Sequence, residues 1–127
     1  MSNDVIVLLG RILLAIIFIF SGFGKLTDLG GTAGYFGGLG LPLPQATAWL
    51  VALVEFLGGL GVLVGFQTRI SAVLLAIFTF ASAFIAHFNF ADQMQLIQFL
   101  KNLAITGGFL ALIAHGPGAL SIDSRRR

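Results

Sequence analysis

The sequence predicts an all-α integral membrane protein in which one domain, residues 1–127, folds as a bundle of four transmembrane helices. Hydrophobic residues make up 57% of the chain and charged residues 9%, so polar side chains are too few to solvate a globular surface. Four apolar runs reach the roughly 17 to 25 residues that a helix needs to cross the hydrocarbon core. These runs are continuously apolar rather than alternating, which favours helices over the strands of a barrel.

The first two predicted spans each contain one charged side chain. The first span covers residues 5–24 and is interrupted by Arg11, and the second covers residues 48–66 and is interrupted by Glu55. The long Gly- and Pro-rich connection between them contains residues 32–39, which we predict as a short helix at the membrane surface. A charge in the middle of a membrane costs on the order of 2.5 to 3.5 kcal/mol, so Glu55 must be paired, protonated or exposed to a wet cavity.

The third and fourth spans are predicted at residues 70–88 and 96–115. A short connection joins the second span to the third, so these two should form a tight antiparallel hairpin. The third span has no ionisable residue before His87, whereas the fourth contains Lys101 and Asn102 and is the least apolar of the four.

The distribution of arginine predicts the orientation in the membrane. With four spans, both termini and the second connection lie on one side, and that side carries Arg69 and the terminal arginines at residues 125–127. The opposite side has only Lys25 and Lys101. Because basic residues accumulate on the cytoplasmic side, we expect the N- and C-termini in the cytoplasm.

The composition also limits the chemistry of the chain. Zero cysteines exclude a thiol relay, a disulfide, an iron–sulfur cluster and a thiolate zinc site. His87 and His115 end spans of opposite direction, so they lie at opposite membrane faces and cannot ligate one haem within a monomer. No residue pair has the spacing of a zinc site, and we expect no metal. The basic tail favours contact with membrane lipids over nucleic acid.

Polar residues in the outer half of the bundle predict the candidate functional site. At a rise of about 1.5 Å per residue, Glu55 and Lys101 lie at similar depths, so we expect an ion pair between them. Lys25, His87 and Asn102 lie near the same end. Glu55, Lys101 and His87 are the candidate catalytic residues, and Lys25, Asn102, Glu55 and Lys101 are the candidate cofactor-binding residues. A purely structural alternative is that the ion pair only fixes helix register and that Lys25 extends to the membrane surface.

Polar residues near the inner end predict a structural clamp that ties the tail to the bundle. The expected partners of Arg11 are helix-end carbonyl groups and Asp123, and Arg69 and His115 belong to the same clamp. Arg11 should face the bundle because it shares one helical stripe with Ala15, Phe18, Gly22 and Lys25.

Small and aromatic residues suggest two further roles. The spacing of Gly58, Gly61 and Gly65 predicts a surface for close helix approach, and we therefore expect a homo-oligomer. Four phenylalanines of the third span are candidates for the wall of a slot that holds a lipophilic ligand, with packing against lipid or core as the alternative; they are Phe78, Phe80, Phe84 and Phe88.

The chain resembles the DoxX family of small bacterial membrane proteins over essentially its whole length. The resemblance is carried, in order, by GRILLAIIFIFSGFGKL, AGYFGGLGLPLP, VEFLGGLGVLVGFQTR and KNLAITGGFLALIAHGPGALSID. It implies four transmembrane helices in the bacterial inner membrane and a quinone-linked redox role in sulfur or oxidative-stress metabolism. The polar positions that match carry no settled catalytic assignment; they are Arg11, Lys25, Glu55, Arg69, Lys101, Asn102, His115 and Asp123.

Three functions are compatible with the sequence. The first is a membrane subunit of a redox system, with a redox enzyme as partner and a quinone or similar lipophilic carrier held between the helices. The second is a non-enzymatic scaffold or assembly partner. The third is a small-solute transporter in which Glu55 is the coupling residue. The sequence leaves open whether the chain is an enzyme.

Overall fold

The structure, a computed structural model, describes residues 2–126, which form helices and no strand. Met1 and Arg127 lie outside the described residues. Arg127 is one of the arginines on which the orientation prediction rests. Four of the helices are long and apolar enough to cross a membrane, which confirms the predicted all-α fold. The helices are α1 Asn3–Leu26, α2 Leu29–Gly38, α3 Pro44–Val64, α4 Thr68–Ala86, α5 Gln93–His115 and α6 Ile122–Arg125.

Local sequence explains several helix ends. The side chains of Ser2 and Asp92 cap α1 and α5 by accepting a backbone N–H of the first turn, at 3.3 and 2.9 Å respectively. Pro44 begins α3, where a missing N–H group costs nothing. Gly65 follows α3 with a φ of +72°, a left-handed conformation that glycine adopts without strain.

The predicted short surface helix is present as α2. Ala33 and Phe36 of this helix are buried against Ala48 of α3, whereas Tyr35 is exposed. Because α2 lies beside the start of α3, it marks one end of the bundle, which we call the α2 end. We call the opposite end, where residues 116–126 lie, the tail end.

The bundle consists of two helix pairs. α1 packs along α3, α4 packs along α5, and contacts between α3 and α4 join the pairs. Ala15, Phe18, Val62, Leu75 and Phe109 belong to the core between them. Most other large apolar side chains are exposed, as expected for helices that face lipid.

Gly58, Gly61 and Gly65 serve packing within one chain. A Cβ atom added to Gly58 would lie 3.1 Å from the Leu75 side chain, and one added to Gly61 would overlap Ser71 of α4. Gly65 is buried beneath the tail. These glycines therefore have a packing role within one chain, although Gly58 and Gly61 also line an open groove on its surface. Self-association stays a prediction.

Candidate functional site

An ion pair between Lys25 and Glu55 forms the centre of the candidate site. Lys25 Nζ lies 2.6 Å from Glu55 Oε1, and the two side chains are 25% and 6% exposed. Lys25 Nζ also donates a hydrogen bond of 2.7 Å to Ser21 Oγ, one turn earlier on α1. The ammonium group offsets the cost of burying the Glu55 charge inside a membrane-spanning helix.

Close packing of α1 on α3 brings the two charges together. A Cβ atom added to Gly22 would lie 2.5 Å from the backbone nitrogen of Phe56, so only glycine permits this approach of the two helices. Lys25 follows Gly22 by three residues and therefore lies on the same face of α1, one turn further along. From that position it reaches Glu55 on the neighbouring helix.

The predicted ion pair between Glu55 and Lys101 is wrong, as is the alternative that Lys25 extends to the membrane surface. Lys101 is exposed and forms no ion pair within residues 2–126. Similar depth fixes the height of a residue in the bundle but not its direction around the helix axis. Asn102 contacts α4, so Lys101, one residue earlier, lies on another face of α5. The bundle-facing stripe on α1 was the sequence signal for the correct partner.

A second polar group lies between α4 and α5. Asn102 Nδ2 donates to the Thr79 carbonyl at 3.2 Å and to Ser82 Oγ at 3.1 Å, and Ser82 Oγ donates to the Thr79 carbonyl at 3.0 Å. Asn102 is a predicted site residue, whereas Thr79 and Ser82 are not. Their spacing of three in an otherwise apolar span places them on one helix face and is the signal that identifies them.

His87 lies at the end of α4, with its Nδ1 atom 3.1 Å from Gln95 Oε1 of α5. A carbonyl oxygen only accepts hydrogen bonds, so Nδ1 carries the proton in this contact.

These polar groups line one cavity of about 440 Å³ toward the α2 end. Residues from each helix from α1 to α5 contribute to the lining, which is mainly apolar. A cavity of this size and character can hold a small lipophilic molecule. Its polar wall includes Lys25, Glu55, Thr79, Ser82, His87 and Asn102, whereas Lys101 takes no part.

Only one of the four candidate wall phenylalanines lines the cavity, and it is Phe78. Phe80, Phe84 and Phe88 are exposed, and their successive ring centroids lie 5.2 and 5.4 Å apart. Phe84 and Phe88 also pack on the buried Phe99 of α5, with ring centroids 5.1 and 5.9 Å apart. None of these three residues lines the cavity, so the expectation is wrong for them.

The side chain of Arg11 ties the tail to α1. Arg11 is 1% exposed, and its Nη2 atom donates a hydrogen bond of 2.5 Å to the Leu120 carbonyl. Close to it, the Ala119 N–H donates to Asp4 Oδ1 at 3.1 Å. The tail thus contacts the beginning of α1 at two points.

Asp123 ties the tail to the beginning of α4. Its carboxylate accepts the N–H groups of Gln67 and Thr68 at 2.7 and 2.8 Å and the Thr68 hydroxyl at 2.7 Å. Burial by itself raises the pKa of Asp123, but the hydrogen bonds from Thr68 and Gln67 and the charge of Arg126 outweigh it, so the pKa lies below its ordinary value. Asp123 therefore supplies the cap that the α4 side chains lack.

The other two clamp residues differ from each other. Arg69 Nε donates to the Ile113 carbonyl at 3.0 Å and so joins the start of α4 to the end of α5. His115 Nδ1 lies 3.2 Å from the carbonyl oxygen of its neighbour Gly116. The structure brings Arg11, Arg69 and Asp123 to the tail end, while His115 has only this local contact among the described hydrogen bonds.

Within residues 2–126, no three His, Asp or Glu side chains are grouped closely enough to hold a metal ion. His87 and His115 end α4 and α5, which run in opposite directions, so the imidazoles lie at opposite ends of the bundle.

Comparison with known proteins identifies the family. The chain is 50% identical over 124 residues to the Inner membrane protein YqjF of Escherichia coli, covering 95% of this chain and 92% of the relative. It is 37% identical to the Inner membrane protein YphA of the same organism, covering 98% and 92%. It is 35% identical to a Bacillus subtilis protein named "Putative oxidoreductase CatD", covering 96% and 87%. No solved structure matches the chain. The DoxX family model matches residues 6–88, and the chain belongs to the DoxX family.

Proposed function

We propose that the protein is a membrane subunit of a quinone-linked redox system and holds a quinone in the cavity between its helices. The observation that carries this proposal is a mainly apolar cavity of about 440 Å³ in whose wall Lys25 forms an ion pair with the buried Glu55. The resemblance to the protein named "Putative oxidoreductase CatD" supports the redox class. A role in oxidative-stress or sulfur metabolism belongs to the same proposal.

The residues present fit a quinone in size and chemistry. Cavities of about 300 to 1,000 Å³ hold small organic ligands, and a quinone ring with a short part of its tail falls in this range. Apolar side chains from α1, α2 and α4, among them Phe18, Phe36 and Phe78, would surround the ring. Lys25 has three N–H donors, of which Ser21 Oγ accepts one. Glu55 is its ion-pair partner, although Oε1 accepts no hydrogen bond of good geometry, so at least one donor is left for a ligand oxygen.

The polar residues also provide for proton movement. A bound quinone supplies the transfer of two electrons and two protons. The Glu55 carboxylate lies in the cavity wall beside the Lys25 ammonium group and would be the group that exchanges a proton with a bound quinone. His87 also lines the cavity near the α2 end, and its imidazole would relay protons toward the membrane surface. Electrons would come from a partner redox enzyme.

The proposal includes the location of the site. Two relatives are named inner membrane proteins, and the arginine distribution predicts that both termini lie in the cytoplasm. The α2 end, toward which the cavity lies, then faces the outer side of the bacterial inner membrane. A quinone is soluble in the lipid around the bundle and reaches the cavity from there.

The test is quinone binding by the purified protein. The protein is purified in mild detergent, its retained lipids are identified by mass spectrometry, and ubiquinone-1 is titrated into protein in lipid nanodiscs. We expect retained quinone, and we expect binding that is weakened at least tenfold by Glu55→Gln or Lys25→Met but not by Lys101→Met. A wild-type protein that retains no quinone and binds no ubiquinone-1 overturns the proposal. A stoichiometric co-purified protein would then favour a scaffold, and solute flux in liposomes would favour a transporter.

A further inference from the structure

Thr79 of α4 has a buried hydroxyl group that forms no hydrogen bond with any residue from 2 to 126. The residue is 2% exposed and lines the cavity. Buried polar side-chain atoms almost always have a partner, because an unpaired one loses its hydrogen bonds to water without replacement. Four such atoms occur within residues 2–126: Thr79 Oγ1, Glu55 Oε1, and Nε and Nη1 of Arg11. Thr79 and Glu55 line the cavity and Arg11 does not, and the Thr79 hydroxyl is the one of the two cavity groups that can donate a hydrogen bond to a molecule entering the cavity.

The other threonines show that a threonine in this fold can bond its hydroxyl group within the chain. Thr106 of α5 has the ordinary arrangement, in which Oγ1 donates to the carbonyl oxygen one turn earlier, that of Asn102, at 2.8 Å. Thr79 makes no such bond. Every other threonine hydroxyl is bonded within the chain, at Thr27, Thr32, Thr47, Thr68 and Thr106.

The surroundings of Thr79 leave its hydroxyl available as a donor. Its carbonyl oxygen accepts both Asn102 Nδ2 and Ser82 Oγ, and these two bonds hold this wall of the cavity in place. On the α1 wall, Lys25 has at least one N–H donor that neither Ser21 nor Glu55 takes. The cavity thus offers one free donor on α1 and one on α4, with apolar side chains around them.

We infer that the Thr79 hydroxyl donates a hydrogen bond to one oxygen of the bound ligand and is a specificity-determining residue of the site. The ligand class that fits is an apolar ring with two acceptor oxygens, one for Thr79 and one for Lys25. A ring with one oxygen leaves a buried donor unpaired and is disfavoured. This inference rests on the proposed function and names the residue that recognises the second ligand oxygen.

The experiment compares Thr79→Val, which keeps the shape and removes the hydroxyl, with Thr79→Ser, which keeps the hydroxyl. Thr106→Val is the matched control, since it removes a threonine hydroxyl that does not line the cavity. Ubiquinone-1 affinity is measured by titration in lipid nanodiscs, and the thermal unfolding midpoint is measured without ligand. We expect Thr79→Val to weaken binding roughly three- to tenfold, with Thr79→Ser and Thr106→Val within about twofold of the wild type. The unfolding midpoint of Thr79→Val should equal or exceed that of the wild type, because no intramolecular hydrogen bond is lost.

The outcomes separate this inference from the proposed function. If the wild type and Thr79→Val bind ubiquinone-1 equally, the inference is overturned and the proposed function stands. If the wild type binds no ubiquinone-1, both are overturned. If Thr79→Val lowers the unfolding midpoint and Thr79→Ser does not restore the affinity, the hydroxyl serves the fold and the inference is overturned.

Discussion

Lys25 of α1 and Glu55 of α3 form an ion pair of 2.6 Å within the transmembrane bundle, at the wall of its cavity. The contact joins the first helix to the third, and Ser21 holds the lysine from one turn below. Two charges that satisfy each other in a low-dielectric region stabilise the fold only as a pair, because each alone is costly to bury. The same two groups are the ones that a ligand in the cavity would meet.

Replacing one member of the pair should be worse than replacing both. We expect Lys25→Met to destabilise the protein by about 3 to 5 kcal/mol, since it leaves the Glu55 charge buried without a partner. The double variant Lys25→Met, Glu55→Gln should recover much of that loss. The free energy of unfolding is measured in detergent from the loss of helix content, for the wild type, for Lys25→Met and for the double variant. Lys101→Met is the control and should change stability by less than about 0.5 kcal/mol; a large effect there would contradict the assignment of Lys25 as the partner.

Gly22 should be essential for the approach of α1 to α3. Gly22→Ala places a methyl group against the Phe56 backbone and should cost roughly 2 kcal/mol or more. Gly24→Ala is the matched control on the same helix, where an added Cβ meets nothing within 4 Å. It should be neutral or stabilise by about 0.5 to 1 kcal/mol, because alanine is the better helix former. Thermal unfolding of the two variants decides the point, and equal effects would contradict the packing.

Because of Asp123, the stability of the tail end should depend on pH. Its pKa in the folded protein lies below the ordinary value of 3.8, so the ionised group stabilises the fold above that pH. The contribution is lost as the pH falls through the folded pKa. Asp123→Ala should lower stability at pH 7 by about 1 kcal/mol, as for the loss of a helix cap. Between pH 7 and pH 2, the free energy of unfolding of Asp123→Ala should fall less than that of the wild type. If the two proteins lose stability in parallel as the pH falls, this role of Asp123 is refuted.

The orientation prediction is tested with reporters. An enzyme reporter fused at the C-terminus should be active on the cytoplasmic side, and one inserted in residues 39–44 should be active on the outer side. The physical reason is the accumulation of arginine at the tail end, at Arg69, Arg125 and Arg126. Reporters on the same side, or a C-terminus on the outer side, would reverse the proposed direction of the cavity.

The sequence by itself determined the four spans, the short helix α2 and the two ends at which polar residues gather. Hydrophobicity and helix caps act along the chain, so these features are readable without knowledge of neighbours. The rotation of each helix about its own axis cannot be read from the chain in this way, because it depends on which helix faces pack together. Only the tertiary structure decided that Glu55 pairs with Lys25 rather than with Lys101, since Gly22 lets α1 approach α3. Packing between helices likewise created the cavity and left Thr79 unpaired in its wall.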